Sequence, residues 1–334
     1  MKTGAARDVE AAGAAGGARA AVYRLERVTK EYRGRGGVLR ALDGLSLSVG
    51  RGERLALIGR SGAGKTTLFR LLNATLGPTR GRLEFDGREV GEMSARELRA
   101  MRRRVGTVYQ QHHLVPSLSA LDNALCGRLG GWSLWRTARS LVRPAREDVE
   151  EAEHVLELVG LRDKLRERAD ALSGGQQQRL AVARVLMQRP EVILADEPVA
   201  SLDPGLADSV MALLQRVADE GGRTLVVALH NVELALGYFP RVVGLRGGAV
   251  ALDADSSGLS RSGLGEFYAG EGAAEKDAAE KGAAGESAAA QGAAAQGAAE
   301  QGSSAEGAAG QGSKGEGAAA EGRGEGEWRQ TPAR

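Results

Sequence analysis

Three short stretches carry most of the residues that could do chemistry. The first is GRSGAGKTT, residues 59–67. It fits the spacing G-x-x-x-x-G-K-[ST], with Gly59, Gly64, Lys65 and Thr66 at the defining positions. Glycines there let the backbone curl so that successive N–H groups point at phosphate oxygens. Lys65 adds a positive charge near the β- and γ-phosphates of a nucleotide, and the Thr66 hydroxyl is placed to hold Mg²⁺. The second stretch is VILADEP, residues 192–198, an apolar run that ends in Asp196 and Glu197. Chemistry in an open α/β sheet sits at the carboxyl ends of strands. Asp196 is therefore the natural Mg²⁺ partner of Thr66, and Glu197 could polarise a water for attack on the γ-phosphate. The third is LSGGQQQR, residues 172–179, followed by the helix-like run LAVARVLM. A turn rich in backbone N–H groups at a helix start also suits an anion. One chain thus carries two phosphate-reading loops more than a hundred residues apart.

These loops need elements to hold them. Leu55 to Ile58 is an apolar run broken by Gly59, and Leu68, Leu71 and Leu72 then follow at helical spacing, which gives strand, loop, helix. Val192 to Ala195 predicts a buried parallel strand. Strand-rich sequence runs from 21 to about 90, with a turn signal at Asp86-Gly87. Residues from about 92 to 178 are expected to be mainly helical. Alternation of strand and helix returns through Leu225 to Leu229 and Val242 to Leu245. The expectation is an α/β fold with a parallel-sheet core, a small antiparallel β subdomain and an inserted helical subdomain. Residues 21–255 would form it. Residues 1–20 and 271–334 are Ala, Gly and charge with almost no large apolar residues. They cannot bury enough surface to offset their ordering entropy and are expected to be disordered.

Composition excludes several classes. The formal net charge of +2 shows no strong nucleic-acid bias. The run RAMRRR (99–104) is expected to be a solvated helix face. The lone Cys126 rules out an internal disulfide and fits a reducing compartment. No apolar run approaches the roughly 18 residues of a membrane span, and the N-terminus lacks the apolar core of a secretory signal. A soluble cytoplasmic chain is expected, whose membrane work needs a partner. His112 and His113 are expected in a loop and His154 on a solvated helix face, and none has metal-ligand spacing.

GRSGAGKT, then LSGGQQQR, then VILADEP, in this order and spacing, resemble the nucleotide-binding subunit of an ABC transporter. The resemblance covers roughly residues 21–255. It implies an ATP hydrolase of the phosphate-loop type that binds ATP and Mg²⁺. It also implies a homodimer in which the signature turn of one subunit closes over the γ-phosphate held by the other. That would explain the two loops: Ser173, Gly174, Gly175 and Gln176 would meet phosphate across the interface. Gly59, Arg60, Ser61, Gly62, Ala63, Gly64, Lys65, Thr66 and Thr67 would cradle the nucleotide within one subunit. Tyr32, in VTKEY, resembles the aromatic that stacks on adenine, with a plain surface tyrosine as the alternative. Gln110, in VGTVYQQ, resembles the glutamine that reaches Mg²⁺ and the attacking water, and Gln111 is its neighbouring competitor. Asp203, in SLDP, resembles the residue that communicates across the dimer. His230, in VVALHNVELA, resembles the histidine at the γ-phosphate, beside Glu197. The helical insertion would grip a membrane permease, holding the chain on the cytoplasmic face of the cell membrane. A periplasmic or lipid-anchored binding protein would deliver the solute.

Less general stretches narrow the family. GRLGGWSLWRT (127–137) holds two of the three tryptophans; a local apolar plug is its plainest reading. With NALCGRLG, LADEPVASLDP and VVGLRGGAV it is similar to the ATP-binding subunit of phosphonate importers. That resemblance implies transport of phosphonate, phosphite or phosphate esters. An importer of another solute, such as an amino acid, would share every catalytic residue. A DNA-repair ATPase of the same superfamily would carry a long coiled coil between the first loop and the signature, and a translation ATPase two tandem units. The chain has neither.

Overall fold

Two long strands, β1 (Ala21–Gly34) and β2 (Gly37–Gly50), pair antiparallel, with Tyr32 opposite Leu39. The computed structural model describes residues 20–34, 37–109, 113–200 and 202–260, together with Leu264 and Phe267. Apart from Ala20, both segments expected to be disordered lie outside these residues. β4 (Arg80–Phe85) and β5 (Arg88–Glu89) complete a four-stranded antiparallel sheet in the order β2-β1-β4-β5. The Asp86-Gly87 turn joins β4 to β5, with both residues at positive φ, 55° and 74°. That geometry matches the right-handed twist of a hairpin and explains the turn signal.

A second sheet has six strands in the order β10-β9-β3-β8-β7-β6. They are β3 (Arg54–Ile58), β6 (Val105–Val108), β7 (Val192–Asp196), β8 (Thr224–Leu229), β9 (Arg241–Arg246) and β10 (Ala249–Asp255). Five run parallel, and β10 caps one edge antiparallel to β9. Both faces of this sheet are covered, so its strands are nearly continuous apolar runs. The two-residue side-chain period sorts them cleanly. Leu55, Leu57, Leu194 and Val226 face a core shared with the antiparallel sheet and α1 (Lys65–Leu72). Ala56, Ile58, Ile193 and Val227 face a second core. That core is built with α3 (Ala120–Leu125), α5 (Arg146–Leu158), α6 (Gly174–Met187) and α7 (Pro204–Glu220).

The expected strands at 55–58, 192–195, 225–229 and 242–245 are all present. The stretch from about 92 to 178 differs from its expectation. It contains β6, which pairs parallel with β7 through Val105–Val192 and Val108–Ala195 and belongs to the core sheet. A four-residue apolar run flanked by a strong helix former gives no periodicity that separates strand from helix. Pairing along β7 decides it. The preceding α2 (Ala95–Arg104) starts at a capping box of Ser94 and Glu97. Its Arg102 donates to the Ala74 carbonyl at 2.7 Å, beside α1. Helical residues that leave the sheet therefore begin after β6, with α3, the short α4 (Leu134–Val142) and α5.

Candidate active site

The loop after β3 is shaped by three glycines with positive φ: Gly59 at 150°, Gly62 at 83° and Gly64 at 105°. Gly64 is also closed in: a Cβ there would lie 2.6 Å from the Ala41 carbonyl oxygen and 2.8 Å from Leu42 Cδ2. The backbone can curl this tightly only without side chains. Gly64 caps α1 in the left-handed conformation, so the helix start opens directly onto the loop. Lys65 is 5% exposed. Its ammonium donates to the Gly59 carbonyl at 2.7 Å and the Arg60 carbonyl at 3.1 Å, which holds the charge at the centre of the curl.

Two strand ends meet this loop. Asp196 ends β7, Glu197 follows it, and His230 follows β8. The Asp196 carboxyl is hydrogen-bonded by Thr66, while its Oδ1 is buried with no partner among the described residues. Burial pushes its pKa up from the usual carboxylate range, the Thr66 hydrogen bond opposes this, and the Glu197 charge adds to the rise. Glu197 sits at φ 50°, left-handed backbone that a branched or long side chain rarely adopts. Its N–H still donates to the Ala228 carbonyl at 3.2 Å. The twist sends Glu197 Oε1 to His230 Nε2 at 2.5 Å and to Lys65 Nζ at 4.0 Å. Backbone strain held against a strand end is a recurrent mark of functional sites.

A cleft of about 260 Å³ lies over these groups. Tyr32, Leu39, Ala41, Ser61, Gly62, Gly64, Lys65, Thr66, Thr67 and Glu197 line it. The cleft thus joins an aromatic and an aliphatic wall to a nitrogen-rich floor, the shape of a base-and-phosphate ligand. Three chain segments supply it: the β1–β2 hairpin, the loop after β3 with the start of α1, and Glu197 after β7.

The signature residues are absent from that lining. Ser173 caps α6 in a second capping box: its N–H donates to Gln176 Oε1 at 2.9 Å, and its hydroxyl accepts from the Gln176 N–H at 3.4 Å. The box leaves the N–H groups of Gly174 and Gly175 as donors at the helix start. Gly174 has nothing within 4 Å of a Cβ position, whereas a Cβ on Gly175 would fall 2.0 Å from Leu206 Cδ2. Asp203 caps α7 by accepting from the Leu206 N–H at 3.1 Å, so the starts of α6 and α7 pack together. Ser173, Gly174 and Asp203 face outward. Gln110, Gln111 and His112 lie outside the described residues.

The family model for the ABC transporter matches residues 42–200. A phosphonates import ATP-binding protein of Rhodopseudomonas palustris is 44% identical over 239 residues, 72% of this chain and 86% of its own length. This chain belongs to that family of ABC transporter ATPases. A phosphonates import ATP-binding protein of Anaeromyxobacter dehalogenans is 51% identical over 224 residues, and the match spans 67% of this chain but only 44% of that relative. Among solved structures, a dimeric ATP-binding cassette in a post-hydrolysis state, bound to ADP and phosphate, superimposes with a TM-score of 0.61 at 31% identity. That alignment covers 71% of this chain and all of the cassette. ABC ATPase cassettes bind adenine nucleotide, and this cleft is the candidate place for one. Sequence reasoning missed Leu39 and Ala41 in the wall. Leu39 is 69% exposed and sits directly across the hairpin from Tyr32. Only strand register brings it there, so the sequence offered no signal for it.

Proposed function

We propose that this ATPase powers import of phosphonates, or of phosphite or phosphate esters, through a membrane permease. The pairing of Glu197 with His230 at 2.5 Å, beside Lys65 and the cleft, carries the hydrolytic part of the reading. The base of ATP stacks on Tyr32, and the phosphates lie in the curl from Gly59 to Thr67. Lys65 neutralises the β- and γ-phosphates. Glu197 orients a water in line with the γ-phosphorus and accepts its proton. His230 holds the Glu197 carboxylate in place and reaches the γ-phosphate. Water attacks directly, with no phosphoryl-enzyme. The unpartnered, buried Asp196 Oδ1 beside the Thr66 hydroxyl supplies the hard oxygen ligands that Mg²⁺ prefers. Thr66 and Asp196 would hold the ion, with Gln110 as a further ligand. Bound there, Mg²⁺ neutralises charge on the β- and γ-oxygens.

Ser173, Gly174, Gly175, Gln176 and Asp203 act in the second half of the site, on ATP held by another copy. The outward position of Ser173, Gly174 and Asp203 at the starts of α6 and α7 supports this. A two-fold pair then has two composite sites. ATP closes the pair and hydrolysis opens it, which moves the helical part and the permease it grips. The chain works at the cytoplasmic face of the membrane, and a periplasmic or lipid-anchored binding protein delivers the solute.

Uptake of a labelled alkylphosphonate tests the whole reading. Phosphorus-limited cells lacking this chain are complemented with wild type or Lys65→Ala. Wild type alone should restore uptake. Restoration by both would remove Lys65 from the mechanism. Restoration by neither, while another solute's uptake recovers with wild type, would replace the substrate and keep the ATPase.

A further inference from the structure

The fold opens the apolar plug expected at GRLGGWSLWRT (127–137). Trp132 is half-buried, with the Arg136 guanidinium 4.9 Å from its ring centre. Trp135 is 78% exposed, the highest value for a large apolar side chain among the described residues. Its helix is well fixed. α4 begins at Ser133, whose hydroxyl accepts from the Arg136 N–H at 3.3 Å, and ends at Arg143, where Pro144 disfavours helix. Arg136 ties it inward by pairing with the buried Asp148 of α5 at 3.1 Å. Trp132 and Arg136 line a groove of about 950 Å³ whose other wall holds Arg99, Arg102 and Arg103 of α2. Trp135 and Arg139 are not part of that lining. Trp135, Ala138 and Arg139 are spaced i, i+3, i+4, so they share one helix face, and all three are exposed.

The charge on this segment is one-sided. Residues 127–146 hold five arginines and no Asp or Glu, in a chain whose formal net charge is +2. Three of the five pair with acids of α5: Arg128 with Glu151, Arg136 with Asp148 and Arg146 with Glu150. Among the described residues neither Arg139 nor Arg143 forms an ion pair, and both are exposed. The next acids in sequence, Glu147 and Asp148, line the groove on the inner side. The outer face thus presents an indole beside two uncompensated guanidinium groups. An indole favours the boundary between water and hydrocarbon, because its ring is apolar and its N–H needs a partner. A guanidinium meets a phosphate with two parallel hydrogen bonds. A basic helix with a tryptophan on its face has the makeup of an element that lies on a membrane surface.

We propose that the outer face of α4 rests on the membrane itself, with the Trp135 indole among the headgroups and Arg139 and Arg143 on the phosphates of anionic phospholipid. The inference rests on the transport reading above, which puts this chain beside a membrane, and adds a contact made with lipid rather than with protein. Charge complementarity selects the occupant: unpaired arginines on a segment without acids suit an anionic surface, and the exposed ring suits its interfacial layer. One tryptophan and two arginines give a weak, reversible contact on their own. Beside a docked permease the same contact becomes intramolecular, so it strengthens the docking and fixes the angle of the helical part to the bilayer.

The test is co-sedimentation of the full-length chain, without permease, with two kinds of vesicle. One is phosphatidylcholine alone, and the other is an equal mixture of phosphatidylcholine and phosphatidylglycerol. Wild type, Trp135→Ala, Arg139→Glu/Arg143→Glu and Arg139→Lys/Arg143→Lys are compared, with melting temperature as the folding control. Wild type should bind the anionic vesicles at least about tenfold better than the neutral ones, and added salt should weaken that binding. The glutamate pair should lose the preference and the lysine pair should keep most of it. Tryptophan emission should shift to the blue on anionic vesicles in wild type but not in Trp135→Ala. Absence of wild-type binding, or equal binding to both vesicles, overturns the inference, and does so even where a variant fails to fold. Binding of the glutamate pair at the wild-type level overturns it too. Loss of permease capture by the variants, with no vesicle binding by wild type, would assign the face to protein and overturn it as well. Each of these results leaves the transport reading standing, because alkylphosphonate uptake decides that reading separately.

Discussion

The two glycine-rich loops use the same residue for opposite reasons. In the loop at 59–67, Gly59, Gly62 and Gly64 have positive φ, and their freedom is what makes the curl. At 174–175 the glycines are the first two residues of a regular helix, without positive φ. There the missing Cβ matters as space. Gly175 lets α6 approach Leu206, and Gly174 leaves a bare helix start facing outward. The first loop surrounds its charge: Lys65 is buried and bonded to two carbonyls of the curl. The second starts its helix with two glycines and three glutamines and carries no charge until Arg179. On the proposed function, one loop is a complete cradle and the other a lid for a second copy, which is the physical difference between binding ATP within a chain and sensing it from a neighbour.

The sharpest way to separate the loops is to stop hydrolysis without touching either. Glu197→Gln should cut ATP turnover by about 10²–10⁴-fold, the usual contribution of a positioned base. It should retain ATP binding and trap an ATP-dependent dimer in gel filtration. A monomer under those conditions would break the view of the signature as a lid for a second copy.

The two signature glycines should then part company. Gly175→Ala puts a methyl group 2.0 Å from Leu206 Cδ2. Overpacking of that kind costs about 1–3 kcal/mol, so thermal unfolding should shift down by several degrees. Gly174→Ala meets nothing within 4 Å and should leave the melting temperature within about 1–2 °C of wild type. It should weaken ATP-dependent dimerisation of the Glu197→Gln background, because the methyl group crowds an approaching phosphate. Equal melting shifts for the two variants would show that the two glycines serve the same purpose.

The smallest effect concerns Asp196, whose pKa is raised by burial. For an acid held above its unfolded value, folding favours the protonated form. Stability is greatest below the ordinary carboxylate range and is lost as pH rises through the raised value. Asp196→Asn removes that loss. At acidic pH the variant and wild type should melt together, and at neutral pH the variant should melt slightly higher. Adding Mg²⁺ and ATP should reverse the order. A variant less stable than wild type at neutral pH, without ligand, would show that Asp196 is bound into the structure rather than kept ready for an ion.

Most of the candidate site was legible because each residue sits in a short, nearly contiguous pattern. The curl needs its glycines at fixed offsets, the strand needs an apolar run, and the carboxylates must come where that run ends. The β strands at 55–58 and 225–229 were visible for the same reason: a strand buried on both faces is apolar throughout. β6 was hidden because four residues carry too little periodicity to tell strand from helix. Leu39 was hidden because hairpin register, not spacing, sets it beside Tyr32. The groove was hidden because its walls come from α2 and from residues 127–136, which no local pattern links.

By itself, then, the sequence determined the local chemistry: a phosphate-binding curl, an acidic strand end, a capped and glycine-led helix start. Backbone conformation and hydrogen-bonding capacity follow from residue type over a few neighbours, so such features survive being read in one dimension. Only the tertiary structure decided which of them share a site. The order of strands in the parallel sheet sets Glu197 against His230 and Lys65, and leaves Ser173 out of the cleft lining. It also turned an arginine run on α2 into the wall of a groove, because charge shows what a surface can attract while packing decides what that surface encloses.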